Sequence, residues 1–240
     1  MSQNFKPYSF EQILTLTWAC IQAYFPKILA LGIIVVAPVG ILTAVVMRSF
    51  SIHNSPQEAV IGALLIALLG AFSWMFLSIT ISIFVSEAAV QNTLSVSQVL
   101  EKSLSRIFPT LLTLIIGGIL LFLLFCLFLI PGLIFSIFWA FMFPAVAIRG
   151  KSGMDALSYS KSLVSGRWWN TFLYFLGAGI LFWIIGLLIG MVFGFVTQDE
   201  TSLLILRVVL SGISSIVGVV FSTVFFLVYE QSLPSNTLEQ

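Results

Sequence analysis

Glu87, Arg149 and Glu230 are the residues of this 240-residue sequence best placed for chemistry. Each closes a long apolar run, at the point where charged residues return. Two carboxylates and a guanidinium at equivalent run ends would form an ion-pair cluster able to hold a lipid headgroup or a polar substrate. The plainer alternative is that they mark helix ends at the water boundary. A second set is basic: Lys102, Arg106, Lys151, Lys161 and Arg167 occupy the polar stretches between runs. Near an anionic membrane surface each contributes on the order of 1 kcal/mol of attraction. They are therefore expected to meet lipid headgroups or an acidic partner.

Catalysis and metal chemistry are not expected. One histidine, His53, and two cysteines, Cys20 and Cys126, cannot build a zinc or haem site, so neither metal nor cofactor is expected. No Walker A pattern, zinc-protease motif or nucleophile elbow occurs. The net charge of +1 offers no field to recruit nucleic acid. A coupled transporter usually carries ionisable residues inside its spans. Here only Arg207 does so, near one end and free to snorkel.

The elements that must position these residues follow from composition. The chain is 60% hydrophobic and 8% charged, against roughly 25% charged in soluble domains. Its mean hydropathy is +1.14. This is the composition of a polytopic membrane protein. About 20 apolar residues cross the hydrocarbon. Ile28–Met47, Ala59–Val85, Thr110–Ile130, Thr171–Val196 and Leu203–Tyr229 reach that length. Between the third and the fourth of these lies the shorter Leu133–Ile148, interrupted by Pro144. A single helix over Thr110–Ile148 would run roughly 60 Å, about twice the hydrocarbon thickness. Pro131-Gly132 therefore reads as a tight turn, which makes six spans. A re-entrant 133–148 segment is the alternative.

Charge placement supports six. Lys6, Lys27, Lys102, Arg106, Arg149, Lys151, Lys161 and Arg167 fall on one side, and only Arg48 and Arg207 on the other. The positive-rich side is expected to be cytoplasmic, with both termini on it. The first 22 residues lack the continuous apolar core of a cleavable signal. Trp18, Trp168, Trp169 and Tyr229 fall at predicted interfaces.

The polar stretches resemble one another. Ser9-Phe-Glu-Gln-Ile-Leu-Thr-Leu-Thr17, Ser95-Val-Ser-Gln-Val-Leu-Glu-Lys-Ser103 and Ser152-Gly-Met-Asp-Ala-Leu-Ser-Tyr-Ser160 share Ser-x-x-(Gln/Asp)-x-Leu-x-x-(Ser/Thr). Serine followed three residues later by glutamine, or less ideally aspartate, is a helix-start signature. The expected fold is thus all-α: six transmembrane helices as three repeats of an interfacial amphipathic helix plus a transmembrane hairpin. The repeats cover about 9–91, 95–149 and 152–230 of one membrane domain, with a polar tail at 231–240. Leu14, Leu100 and Leu157 should point into bilayer or bundle, with the basic residues outward. Small residues at four-residue spacing, Gly186, Gly190 and Gly194, then Ser214, Gly218 and Ser222, predict close helix packing. Gly70, Ser78, Ser82 and Ser86 share a face of the second span.

Pro131-Gly-Leu-Ile-Phe, Phe143-Pro-Ala-Val-Ala-Ile-Arg-Gly, Asp155-Ala-Leu-Ser-Tyr-Ser160 and Leu163-Val-Ser-Gly-Arg-Trp-Trp169 resemble the signature of YciC-like bacterial inner-membrane proteins. A related membrane domain is fused to some glycerophosphodiester phosphodiesterases. Arg149 departs from the pattern, where relatives often carry Glu. The resemblance implies a six-span fold in the bacterial inner membrane and no catalysis, because the chemistry of those fusions belongs to a separate soluble barrel. The function expected is non-catalytic, in membrane or lipid homeostasis or as a scaffold for a partner. An uncoupled lipid or small-solute transporter is the alternative, and a cavity lined by the serine-rich second span would favour it. Expected partners are membrane lipids, anionic ones included, and a protein partner or second copy of the chain.

The charge bias makes a topological prediction. Single cysteines at positions 53 and 199 should react with a membrane-impermeant maleimide from the periplasmic side. Labelling from the cytoplasm alone would overturn the orientation.

Overall fold

The structure, a computed structural model, describes residues 9–51, 56–92, 94–196 and 200–232. His53, Asp199, Lys6 and most of the 231–240 tail lie outside the described residues. Among those described there are nine helices and no strand: α1 (Phe10–Ser51), α2 (Pro56–Ala89), α3 (Val96–Ser105), α4 (Ile107–Leu127), α5 (Leu129–Phe138), α6 (Met142–Arg149), α7 (Met154–Val164), α8 (Trp168–Val196) and α9 (Glu200–Gln231). Six segments are long and apolar enough to cross a membrane: Phe10–Ser49, Gln57–Ala89, Ile107–Leu127, Leu129–Arg149, Trp168–Val192 and Val209–Gln231. The chain is an all-α, multi-pass membrane protein.

Two of the three serine caps form. Ser9 and Gln12 exchange side chain-to-backbone bonds at 2.9 and 3.2 Å, and Ser95 with Gln98 closes a full capping box. The third does not: α7 starts from Gly153, and Ser152 offers only its carbonyl to Asp155 N–H. The first expected amphipathic helix is the leading part of α1, divided from the span that follows by a kink with non-helical backbone at Tyr24, just ahead of Pro26. The helix α7, however, does not lie flat on a lipid surface. Ala156, Leu157, Ser160, Leu163 and Val164 are buried against α4, α5 and α6. That spacing is a full helical stripe, satisfied by the protein core.

The turn before the fourth span lies three residues earlier than Pro131-Gly132 suggests. Phe128 alone, in extended backbone, separates α4 from α5. Pro131 sits in the first turn of α5, where its missing N–H has no intrahelical partner to lose. Gly132 is buried where a Cβ would fall 2.5 Å from the Phe125 ring, so glycine lets the two helices meet this closely. Counted from Leu129, the fourth segment has 21 residues, roughly 30 Å if helical throughout and enough for the hydrocarbon.

That segment is broken at residues 139–141, because Pro144 cannot donate to the Ala140 carbonyl and its ring excludes it. The break needs partners for its backbone. Ser160 on α7 supplies them: Phe141 N–H donates to its Oγ at 3.1 Å, and the hydroxyl donates to the Phe138 carbonyl at 2.8 Å. Phe141, fully buried, fills the break and packs on Phe175, Phe225, Phe226 and Tyr229. Around this centre α2 packs on α1, α6 and α9, while α8 touches its neighbours lightly.

After α6 the chain turns at Gly150 and Gly153. Gly153 has φ +57° and ψ −129°, a region nearly closed to side-chain-bearing residues. Its N–H donates to Thr113 Oγ1 on α4 at 2.8 Å. Gly153→Ala should therefore lower stability by about 1–3 kcal/mol. Thr113→Val, which strands the buried N–H, should cost a similar ~1–3 kcal/mol. Thermal unfolding in mild detergent measures both, and an unchanged midpoint for either would contradict the strain and the bond.

Candidate functional site

The bundle interior holds a cavity of about 400 Å³ between α2, α4, the α5–α6 break, α8 and α9. Its polar lining consists of hydroxyls, Ser78 and Ser82 from α2, Ser136 from α5, and Ser222 and Thr223 from α9. Trp74, Trp139, Phe143 and Phe175 add aromatic walls. No ionisable side chain is among its lining residues. The broken backbone at Trp139 and Ala140 forms part of the wall, and irregular backbone at membrane depth is tolerated where it is buried or faces a cavity.

The hydroxyls differ in their bonding. Thr17, Thr80, Thr110, Thr113, Thr171 and Thr223 donate back to their own helix carbonyls four residues earlier. Ser82 and Thr223 also bond each other across α2 and α9 at 2.9 Å. Ser103 and Ser160 are partnered too. Ser78, 3% exposed, is the one buried hydroxyl among the described residues without a hydrogen bond. Among the described residues no fully enclosed side-chain oxygen lacks a partner, and Ser78 lines the cavity, so its hydroxyl reaches the open space there. Half-buried Ser222, also on the cavity wall, is likewise unpartnered.

Farther along the same face of α8 lies a larger, mostly apolar groove of about 840 Å³, bounded by the leading part of α1, by α8 and by α9. Leu14, Trp18 and Ile21 form one wall; Gly186, Gly190 and Ser214 thin the others. Phe182 lines both spaces. These positions correct the packing expected of the small residues. A Cβ on Gly186, Gly190 or Gly218 would meet nothing within 4 Å. Ser214 is exposed and bonds the Ser211 carbonyl of its own helix at 3.0 Å. Within the chain, these residues keep the cavity and groove open instead of drawing helices together; Gly194 lies outside the residues whose side-chain surroundings are described.

The charged residues gather at the opposite ends of the same helices, but in two groups. Arg149 Nε donates to Glu230 Oε1 at 2.6 Å. Glu87 instead takes Lys102 at 2.6 Å and Asn92 Nδ2 at 2.6 Å. The predicted three-residue cluster thus splits, because α3 brings Lys102 to Glu87 locally. Glu230, 5% exposed, has a partner missed in the sequence: Tyr159 OH donates to the same Oε1. Burial, with the Glu230 carboxylate beside it, pushes the Tyr159 hydroxyl well above the usual phenol range, so it stays a donor.

The basic residues are less free than a solvated collar implies. Lys151 Nζ sits 4.7 Å from the Tyr159 ring centre, and Lys161 Nζ 5.6 Å from that of Phe135. The Arg167 guanidinium lies 4.3 Å over Tyr229 and donates to Ser232 Oγ. Burial lowers its pKa from the ordinary arginine value. Arg106 lies against Gly150, where a Cβ would fall 2.5 Å from Nη1. Leu157 is buried against Gly117, Leu100 packs on the core, and Leu14 faces the groove. Among the described residues, no three His, Cys, Asp or Glu side chains gather into a metal site.

The Glu230 network makes an ordering prediction. Arg149→Met leaves a buried carboxylate with Tyr159 as its remaining side-chain partner. Glu230→Gln removes the charge and leaves a half-exposed arginine that water can solvate. Arg149→Met should therefore cost more, by about 2 kcal/mol. Unfolding midpoints in the reverse order would refute the reading.

No curated protein and no solved structure matches the sequence. A family model matches most of the chain, residues 29–232, and takes in α2 to α9 and α1 from residue 29 onward. The chain belongs to the family described as Domain of unknown function (DUF7847).

Proposed function

We propose that this protein is a non-catalytic lipid-binding protein of the bacterial inner membrane, serving membrane or lipid homeostasis, with both termini cytoplasmic. The observation that carries the reading is the groove between α1, α8 and α9. At about 840 Å³ it is within the size of ligand sites, roughly 300–1,000 Å³. It is walled by apolar side chains, and its helices are of membrane-spanning length, so a lipid acyl chain is its natural occupant. The resemblance to YciC-like proteins agrees with the location. Lys151, Lys161 and Arg167 place positive charge on aromatic rings at one end, where anionic headgroups add attraction.

Uncoupled lipid transport is the second reading. It is favoured by the hydroxyl-lined cavity next to the groove, with a single phenylalanine common to both. The spans carry few ionisable residues, which argues against ion coupling.

Gly186→Leu with Gly190→Leu fills the groove from positions where an added Cβ meets no neighbour. Native mass spectrometry after gentle extraction should show about tenfold less retained phospholipid, on the scale of ~1.5 kcal/mol for one apolar side chain's worth of contact. The unfolding midpoint should hold. Undiminished lipid occupancy in this variant would remove the groove as the binding site.

A further inference from the structure

Resting on the lipid-binding reading, we propose that the cavity behind Phe182 receives the uncharged, hydroxyl-bearing end of a diacylglycerol-type lipid, whose chains extend into the groove. Four observations converge on it.

The first is the unsatisfied hydroxyl. Ser78 is 3% exposed and is the one buried hydroxyl among the described residues without a partner. Six threonines of the same bundle show the easy alternative, a bond to their own helix carbonyl. A polar group kept open in a low-dielectric interior calls for a ligand or water. Ser222 faces the same space, also without a bond. Together they offer two donors and several acceptor lone pairs.

The second is the absence of charge. No ionisable side chain is among the cavity's lining residues. A phosphate brought here would lose its hydration with no cation to replace it, a cost that excludes charged headgroups. A free hydroxyl and ester carbonyls match serine hydroxyls without that cost.

The third is size. About 400 Å³ suits a glycerol ester moiety, while about 840 Å³ next door has room for chains; both fall in the ~300–1,000 Å³ range of ligand sites.

The fourth is the connection. On α8, Gly179 lines the cavity, Gly186 and Gly190 line the groove, and Phe182 lines both. Spacings of three and four residues put these on one helix face. On α9, Ser222 and Gly218 continue into Ser214 in the same way. A Cβ on Gly179, Gly186, Gly190 or Gly218 would meet nothing. Two tracks of small residues thus join the spaces, with Phe182 as a bulky residue between them. Rotation of its ring opens the way.

The test uses two photoactivatable probes with the diazirine at the same place, on the acyl carbons next to the glycerol ester: a diacylglycerol and a phosphatidylglycerol. Each is added to the full chain in phosphatidylethanolamine nanodiscs, and crosslinked peptides are mapped. Diacylglycerol should label cavity peptides, those holding Trp74–Ser82 and Ser136–Phe143, as well as groove peptides; phosphatidylglycerol should label groove peptides alone. Ser78→Ala with Ser222→Ala should cut diacylglycerol labelling of the cavity about tenfold and leave groove labelling by phosphatidylglycerol unchanged. Gly179→Leu, which fills the cavity from an open position, should do the same. Equal cavity labelling by both probes, or full diacylglycerol labelling in both variants, overturns the assignment. If phosphatidylglycerol labels the groove and diacylglycerol never reaches the cavity, this inference fails and the groove reading stands. If neither probe labels the groove, both fail.

Discussion

A break in a membrane-spanning helix leaves amide and carbonyl groups with no water to satisfy them. In this protein one hydroxyl satisfies two of those groups, since Ser160 both accepts from Phe141 N–H and donates to the Phe138 carbonyl. The remainder of the architecture depends on that bridge. With the break stabilised, Phe141 can turn into the core and meet the aromatic face of α9. α6 can then leave α5's line and pack on α2, carrying Arg149 to Glu230. The irregular backbone also forms part of the cavity wall. A continuous helix over the same residues would remove the wall and place Arg149 elsewhere.

Stability is unevenly spread as a result. α9 is fixed at one end by the Glu230 network and along its length by Phe221, Phe225, Phe226 and Tyr229, all buried. α8 is held near its start, where Trp168 Nε1 donates to the Ile134 carbonyl and Thr171 bonds Tyr229. Farther along, a Cβ on Gly179, Gly186 or Gly190 would meet nothing, and Trp183 and Ile185 are exposed. A helix anchored at one end with few buried contacts beyond belongs to the low-stability end of a fold, where binding elements are commonly found. The two spaces lie along one face of that helix.

The spans and their number were legible in the sequence, because 20 apolar residues can do little else than cross or be buried. The Ser9 and Ser95 caps were legible too, since a capping box is a local interaction between residues three apart. What misled was chemistry that depends on neighbours distant in sequence. Pro131-Gly132 spells a turn in isolation but also suits the first turn of a helix, and the Phe125 ring decides which. Glycines at four-residue spacing allow close packing without demanding it, and here they border open space. Glu230 and Arg149 could be paired from their positions at span ends. Tyr159 could not, because nothing in a short amphipathic stretch announces which face the bundle will bury. The basic residues were readable as a group, while the rings beneath Lys151, Lys161 and Arg167 belong to distant or folded-back segments.

The polar chemistry of the bundle is divided by depth and by kind. Ionic partners sit at helix ends: Glu87 with Lys102, Glu230 with Arg149. Between the helices the cavity is lined by uncharged side chains, with hydroxyls from Ser78, Ser82, Ser136, Ser222 and Thr223. The division follows from cost. A charge in hydrocarbon demands a permanent counter-charge, and such a pair would hold the helices in one arrangement. A hydroxyl can be satisfied by its own helix, by a neighbour or by a passing ligand, with modest differences in free energy between the three. Thr80, Ser82 with Thr223, and Ser78 sample these three situations on one or two turns of adjacent helices. A site built this way binds without locking, and it selects against charge by offering nothing to neutralise it. That combination suits a lipid entering from the bilayer, whose chains need no recognition and whose uncharged polar end needs only a few adaptable hydrogen bonds.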